Sequence, residues 1–141
     1  MAVANKFNDF VRQLCNKEHD LDTDAITLAL TNTLPVAAND YVNDITEIVY
    51  TGVSGSRALA NKVLSQAAGI AKFVADDVVL TGTGAGFGPF RYLVLFNDTP
   101  GTAATKGLIC WIDYGSSISV AAGEIFTTDF DQTNGILTLG P

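Results

Sequence analysis

Residues Thr81–Phe96 read TGTGAGFGPFRYLVLF, in which four glycines at alternate positions precede an apolar and aromatic run. A dinucleotide-binding loop needs the spacing Gly-x-Gly-x-x-Gly between a strand and a helix. The glycines here stand at Gly82, Gly84, Gly86 and Gly88. That alternation breaks the fingerprint, no Lys-Ser or Lys-Thr pair follows as in a P-loop, and the residues after Pro89 are strand formers. The stretch therefore predicts a turn between two β-strands, in which glycine adopts backbone angles closed to other residues.

Strand signals continue on both sides of this turn. Short runs of β-branched, aromatic and apolar residues, separated by Gly, Pro, Asn, Asp and Ser, are typical of β-strands. These runs are AITLALT (Ala25–Thr31), Ile48–Tyr50, KFVADDVVL, FRYLVLFN, GLICWIDY, SISV, EIFTTDF and GILTL. The segment AANDYVNDI, between the predicted strands Ala25–Thr31 and Ile48–Tyr50, has room for one helical turn. Many short strands predict a single mainly β domain over residues 1–141, an antiparallel β-sandwich or jelly roll.

One amphipathic α-helix is predicted at the N-terminus, from about Asn5 to about Asn16. Its apolar positions recur at helical spacing and are Phe7, Phe10, Val11 and Leu14. The segment Arg57–Val74 is ambiguous, since its alanines and its apolar spacing favour a helix whereas Gly69 interrupts the pattern. Periodicity leaves helix and strand both open there.

The composition points away from several classes of partner. The chain has 15 acidic and eight basic residues, a formal net charge of −7, and no basic run. Nucleic-acid binding depends on cations that neutralise phosphates, so we expect neither direct nucleic-acid binding nor docking on an anionic membrane. No apolar run is long enough to span a bilayer, and MAVANKF lacks the apolar core of a secretory signal. Only 16% of residues are charged, which indicates that a partner or further copies cover part of the surface.

The cysteines and the single histidine give no catalytic pattern. Cys15 and Cys110 both have apolar neighbours, which predicts two buried, reduced thiols. His19 follows the predicted helix, and we expect it to be exposed there near the last helical carbonyls. The spacing of these three residues matches no usual zinc site.

The acidic residues also predict no chemistry. Asp20, Asp22 and Asp24 resemble the opening of a calcium loop, but the sixth and twelfth positions hold Ala25 and Thr31. We interpret them as a solvated acidic turn. Neighbouring carboxylates are found at Asp76/Asp77 and Asp129/Asp131, where strand alternation and turn propensity explain them. We therefore expect no catalytic residue, no cofactor and no metal ligand, and not an enzyme.

Several phrases together resemble a family of known proteins. They are NKFNDFVRQL, HDLDTDAITLALTNTLP, VNDITEI, GPFRYLVLFND and WIDYGSSISVAAGEIFTTDF. The chain resembles the capsid cement, or decoration, proteins of tailed bacteriophages, small virion proteins encoded near the major capsid protein. The resemblance implies a jelly-roll-like sandwich that sits on the outside of an HK97-type shell and clamps neighbouring capsid subunits. It also implies strands over Arg57–Val74.

This resemblance sets the expected partners. They are the major capsid protein and further copies of the chain, as a dimer or trimer, in a virion made in a bacterial cytoplasm. The N-terminal arm Met1–Lys6, the glycine loop Gly82–Gly88 and the C-terminal TLGP are the segments expected to order on a partner. The contact residues predicted within them are Met1, Ala2, Val3, Ala4, Gly84, Gly86 and Phe87.

Two alternative functions stay open. One is a structural component of a phage tail or baseplate. The other is a carbohydrate-binding β-sandwich that stacks sugars on Tyr92, Trp111 and Tyr114.

Overall fold

The apolar run after the glycine-rich turn forms the centre of the largest sheet. The computed structural model describes residues 3–141 and shows a mainly β chain with antiparallel sheets and one short helix. In chain order the elements are β1 (Asn5–Lys6), α1 (Phe10–Cys15), β2 (Ile26–Thr31), a 3₁₀ turn (Val42–Asp44), β3 (Val53–Ser54), β4 (Val63–Ala67), β5 (Ile70–Val74), β6 (Val79–Gly82), β7 (Phe87–Asn97), β8 (Leu108–Val120), β9 (Ile125–Thr127) and β10 (Leu137–Leu139).

The four-stranded sheet has the order β1–β8–β7–β2. Its strand β2, ITLALT, is buried at every residue, as expected for an apolar run covered on both faces. Leu28 lies opposite Leu95 in the β2–β7 register, and Leu95 lies opposite Cys110 in the β7–β8 register. Large apolar side chains are thereby aligned across the middle of the sheet.

Two three-stranded sheets, β10–β5–β4 and β3–β6–β9, complete the fold. They are amphipathic, because alternate residues of a strand point to opposite faces. Leu80 pairs with Phe126 in one sheet and Phe73 with Leu137 in the other, and all four side chains are buried. These residues join those of β2, β7 and β8 in one core cluster. The sequence prediction of antiparallel β structure is confirmed.

The predicted N-terminal helix, about Asn5 to about Asn16, is roughly twice as long as the observed helix Phe10–Cys15. Asn5 and Lys6 pair instead with Trp111 and Cys110 as the edge strand β1, so the helix begins only at Phe10. Phe7 is the reason for this arrangement, since its ring leaves the helical face and packs against Trp111 in a second core cluster, with centroids 4.7 Å apart.

Ile48–Tyr50 does not form the predicted strand. A strand at Ile48–Tyr50 would have paired with the outer edge of β2. That edge is occupied instead by hydrogen bonds with side chains and by single backbone hydrogen bonds. The Leu30 N–H donates to the Tyr50 hydroxyl at 2.9 Å, the Ile48 N–H donates to the Leu30 carbonyl, and the Arg57 guanidinium donates to the Leu28 carbonyl at 2.7 Å. The two other uncertain segments fold as expected, as a 3₁₀ turn within AANDYVNDI and as the β4–β5 hairpin within Arg57–Val74.

Candidate interaction surfaces

The glycine-rich stretch turns β6 into β7, as predicted. Gly84, Gly86 and Gly88 all have positive φ angles, of 58°, 75° and 114°. Gly86 also lies against two other segments: its carbonyl occupies the space that a side chain on Gly52 would need, and a Cβ on Gly86 itself would overlap the backbone of Val120. The turn is therefore packed at its base, whereas a Cβ built on Gly84 would meet no atom within 4 Å.

The other predicted contact residues lie in different environments. Phe87 is buried and stacks on Phe90 with ring centroids 5.9 Å apart, so a partner could reach only the backbone at this position. Val3 is 88% exposed, and Ala4 packs partly against the core. Met1 and Ala2 lie outside the described residues.

Two of the predicted contact segments meet at one cleft. Residues of the N-terminal arm and of the region around β10 line a cavity of about 520 Å³. The Lys6 ammonium donates to the Thr138 carbonyl oxygen at 3.1 Å and so ties β1 to β10. Apolar side chains form much of the lining, among them Ile112, Phe130 and Ile136. The cleft thus joins the N-terminal arm to the C-terminal strand.

A second surface is the outer side of the β3–β6–β9 sheet, which we call the uncharged face. Val79 lies opposite Thr127 and Thr81 opposite Ile125, while Leu80 and Phe126 between them point into the core. Val79 is 50% exposed and Ile125 66% exposed. None of the five residues that make up this face is charged: Ser54, Val79, Thr81, Ile125 and Thr127. Strand β6 leads from this face directly into the glycine-rich turn.

A third surface is the β4–β5 hairpin. All five residues of β4 are exposed, including Val63 and Leu64. The sequence from Ile48 to Ala75 contains the cations Arg57, Lys62 and Lys72 and no acidic residue, so all 15 acidic residues lie elsewhere in the chain. This hairpin is thus an exposed, apolar to weakly basic strand pair of an acidic protein.

The prediction of an exposed His19 is wrong. The side chain is 5% exposed and lies against Phe10. Its Nε2 lies 2.7 Å from Gln13 Oε1, and its Nδ1 lies 3.3 Å from Asn97 Nδ2. Burial lowers the pKa of His19, and a neutral ring that donates from Nε2 and accepts at Nδ1 satisfies both neighbours. Gly107 leaves the space that the histidine and glutamine side chains occupy.

Asn97 holds the same cluster together from the end of β7. Its amide nitrogen donates to Asp24 Oδ2 at 2.6 Å and to the Glu18 carbonyl at 3.0 Å. Asp24 in turn accepts from the Asp20 N–H, which closes the acidic turn on itself. These carboxylates serve as hydrogen-bond acceptors for the loop, and within residues 3–141 no group of three or more His, Cys, Asp or Glu residues could hold a metal ion.

The cysteine prediction is half right. Cys110 is buried, and burial raises the pKa of its thiol to about 12, but Cys15 is exposed at the end of α1.

The aromatic residues offered for sugar stacking do not share a surface position. Tyr92 is buried, Trp111 packs on Phe7, and Tyr114 is exposed beside Phe126.

No helix within residues 3–141 is long and apolar enough to cross a membrane. No family model, curated protein or solved structure matches the chain.

Proposed function

We propose that the protein is a structural virion protein, a capsid cement of a tailed bacteriophage. In this function a jelly-roll-like domain binds the outside of an HK97-type shell and clamps neighbouring major capsid protein subunits. The observation that carries the proposal is the uncharged face with its exposed Val79 and Ile125.

A face of this composition suits burial against another protein. Removing a charged side chain from water is costly unless it is paired, and this face has none to desolvate. Burying the exposed part of an aliphatic side chain contributes about 1 kcal/mol or more. Val79 and Ile125 can therefore drive association, and the threonines beside them can hydrogen-bond to a partner without introducing a charge.

Clamping needs more than one contact, and exposed apolar side chains occur on separate elements. Leu34 and Val36 are exposed in the loop after β2, and Val63 and Leu64 on β4. A protein that binds only the assembled shell stabilises it by its binding free energy, multiplied over many copies. The net charge of −7 favours a position on the outside, because packaged DNA repels an acidic protein.

The test uses undecorated heads of the phage in whose genome the chain is encoded. Purified protein is mixed with heads and pelleted, and bound protein is quantified over a concentration series. We expect saturable binding, and we expect Val79→Glu to weaken it at least tenfold because a carboxylate would be buried unpaired.

Val11→Glu is the matched control. Val11 is 49% exposed, almost as Val79 is, but it belongs to α1 and is not one of the residues of the uncharged face. We expect this variant to bind heads as the wild type does. Protein that stays in the supernatant with heads but sediments with purified tails would replace the proposal with a tail component. Equal loss of binding by both variants would refute the role of the uncharged face.

A further inference from the structure

Strand β4 has a free hydrogen-bonding edge. It is the last strand of the sheet β10–β5–β4. The two-residue turn Ala68–Gly69 has positive φ at both positions, 52° and 81°, and so makes Ala67 and Ile70 a hydrogen-bonded pair. Bonded pairs alternate along an antiparallel ladder, so Ser65 and Val63 also bond to β5. The backbone N–H and C=O groups of Leu64 and Gln66 therefore point away from the sheet.

This edge lacks the features that prevent strand pairing. Natural edge strands are usually very short, charged, bulged or covered. Among the sheet edges of residues 3–141, β1, β3, β9 and β10 have two or three residues, and Ile48, Tyr50 and Arg57 cover β2. Strand β4 has five residues, VLSQA, with no charge, no proline and a continuous register against β5.

We propose that β4 pairs antiparallel with β4 of a second copy of this chain, about a two-fold axis at Ser65. In this register Leu64 of each copy exchanges two hydrogen bonds with Gln66 of the other, and Val63 faces Ala67. The edge is thus complementary to itself, with its outward groups and its side chains both matched. Centring the pair on Gln66 would instead place Leu64 opposite Ala68, which is in the turn and cannot pair.

The charges near the axis permit this arrangement. The nearest cation on the sheet is Lys72, which lies opposite Ser65 on β5. Three strand spacings separate the two copies of Lys72, about 14 Å, which exceeds the Debye length of about 8 Å at physiological salt. Neither β4 nor β5 contains an acidic residue, so no carboxylate of these two strands lies at the axis.

Cross-linking at the axis tests the pairing in the free protein, without capsids. Cys15 is first replaced by serine, because its thiol is exposed. In that background Ser65→Cys brings two thiols together at a non-hydrogen-bonded pair, with Cα atoms about 4.5 Å apart, which suits a disulfide. Val63→Cys is the control, since four residues separate it from its own copy, about 14 Å along the strands.

We expect mild oxidation to cross-link the Ser65→Cys protein at least tenfold faster than the Val63→Cys protein. A mixture of Val63→Cys and Ala67→Cys proteins should give the heterodimer, because those positions face each other across the axis. All three positions are exposed, so each variant retains the fold. Equal cross-linking of the two single variants, or none by Ser65→Cys at millimolar protein, would overturn the proposal. The result is independent of the capsid-binding experiment, so either proposal can fail alone.

Discussion

Replacing Gly107 by alanine should destabilise the protein strongly, because this glycine leaves the space for the buried histidine cluster. A Cβ at this position would overlap Gln13 Oε1 and would lie 2.7 Å from His19 Cε1. Both side chains are fixed by bonds on their other sides and cannot move away together. The methyl group must therefore break the His19–Gln13 hydrogen bond.

The expected loss follows from the two groups left unpaired. Each buried donor or acceptor without a partner costs about 1–3 kcal/mol. Alanine also reduces the conformational entropy of the unfolded chain, which adds about 0.4–1 kcal/mol to the free energy of unfolding. We expect Gly107→Ala to lower the free energy of unfolding by about 1–5 kcal/mol, a decrease in Tm of roughly 3–20 °C for a chain of this size.

Urea unfolding followed by tryptophan fluorescence measures this difference directly. The matched control is Gly101→Ala, since a Cβ there would meet no atom within 4 Å. We expect the control to change the free energy of unfolding by less than about 0.5 kcal/mol. A Gly107→Ala protein as stable as the control would show that the cluster is not tightly packed.

Two further predictions concern titration and thiol reactivity. Burial lowers the pKa of His19 in the folded state, so as the pH falls the unfolded chain binds a proton before the folded protein does. The contribution of the neutral His19 to the free energy of unfolding should therefore be fully present above about pH 6.5. Below that pH the free energy of unfolding should decrease by up to about 1.4 kcal/mol per pH unit. Urea unfolding at pH 7.5, 6.5 and 5.5 measures this, and His19→Gln should abolish most of the decrease; an unchanged decrease would assign it to other groups. A chromogenic disulfide reagent should modify Cys15 in the native protein within minutes and Cys110 only after denaturation, because Cys110 is fully buried. If the native protein released two equivalents of chromophore per chain, both thiols would be accessible, which would contradict the burial of Cys110.

Most strands could be predicted because their residues carry the signal locally. ITLALT and FRYLVLFN are strong strand formers, and each forms a strand with nearly the predicted bounds. The errors arise where tertiary contacts override the local pattern. Ile48–Tyr50 has high β-propensity, but the Tyr50 hydroxyl accepts a hydrogen bond from Leu30 at the edge of β2 with which a strand at Ile48–Tyr50 would have paired. Asn5 and Lys6 fit a helix, but β8 offers them backbone partners.

The interaction surfaces were less predictable than the fold. The pattern at Val79 and Ile125 shows alternation, but sequence alone cannot say which alternate residues face solvent. The free edge of β4 depends on the strand order, which pairs β5 with the distant β10 and leaves β4 outermost. His19 was misjudged because the residues that bury it, Gln13, Asn97 and Gly107, are brought together only by the fold.

The strand order also determines when the nascent chain can begin to fold. Strand β2 ends at Thr31, yet its partner β7 is complete only at Asn97, and β1 waits for β8 beyond Trp111. At bacterial elongation rates of about 5–20 residues per second, the apolar segment ITLALT stays unpaired for roughly 3–13 seconds after it is synthesised. Ribosome-associated holdases that favour aliphatic peptides should therefore capture this segment, and release it once the central hairpin β7–β8 has left the exit tunnel.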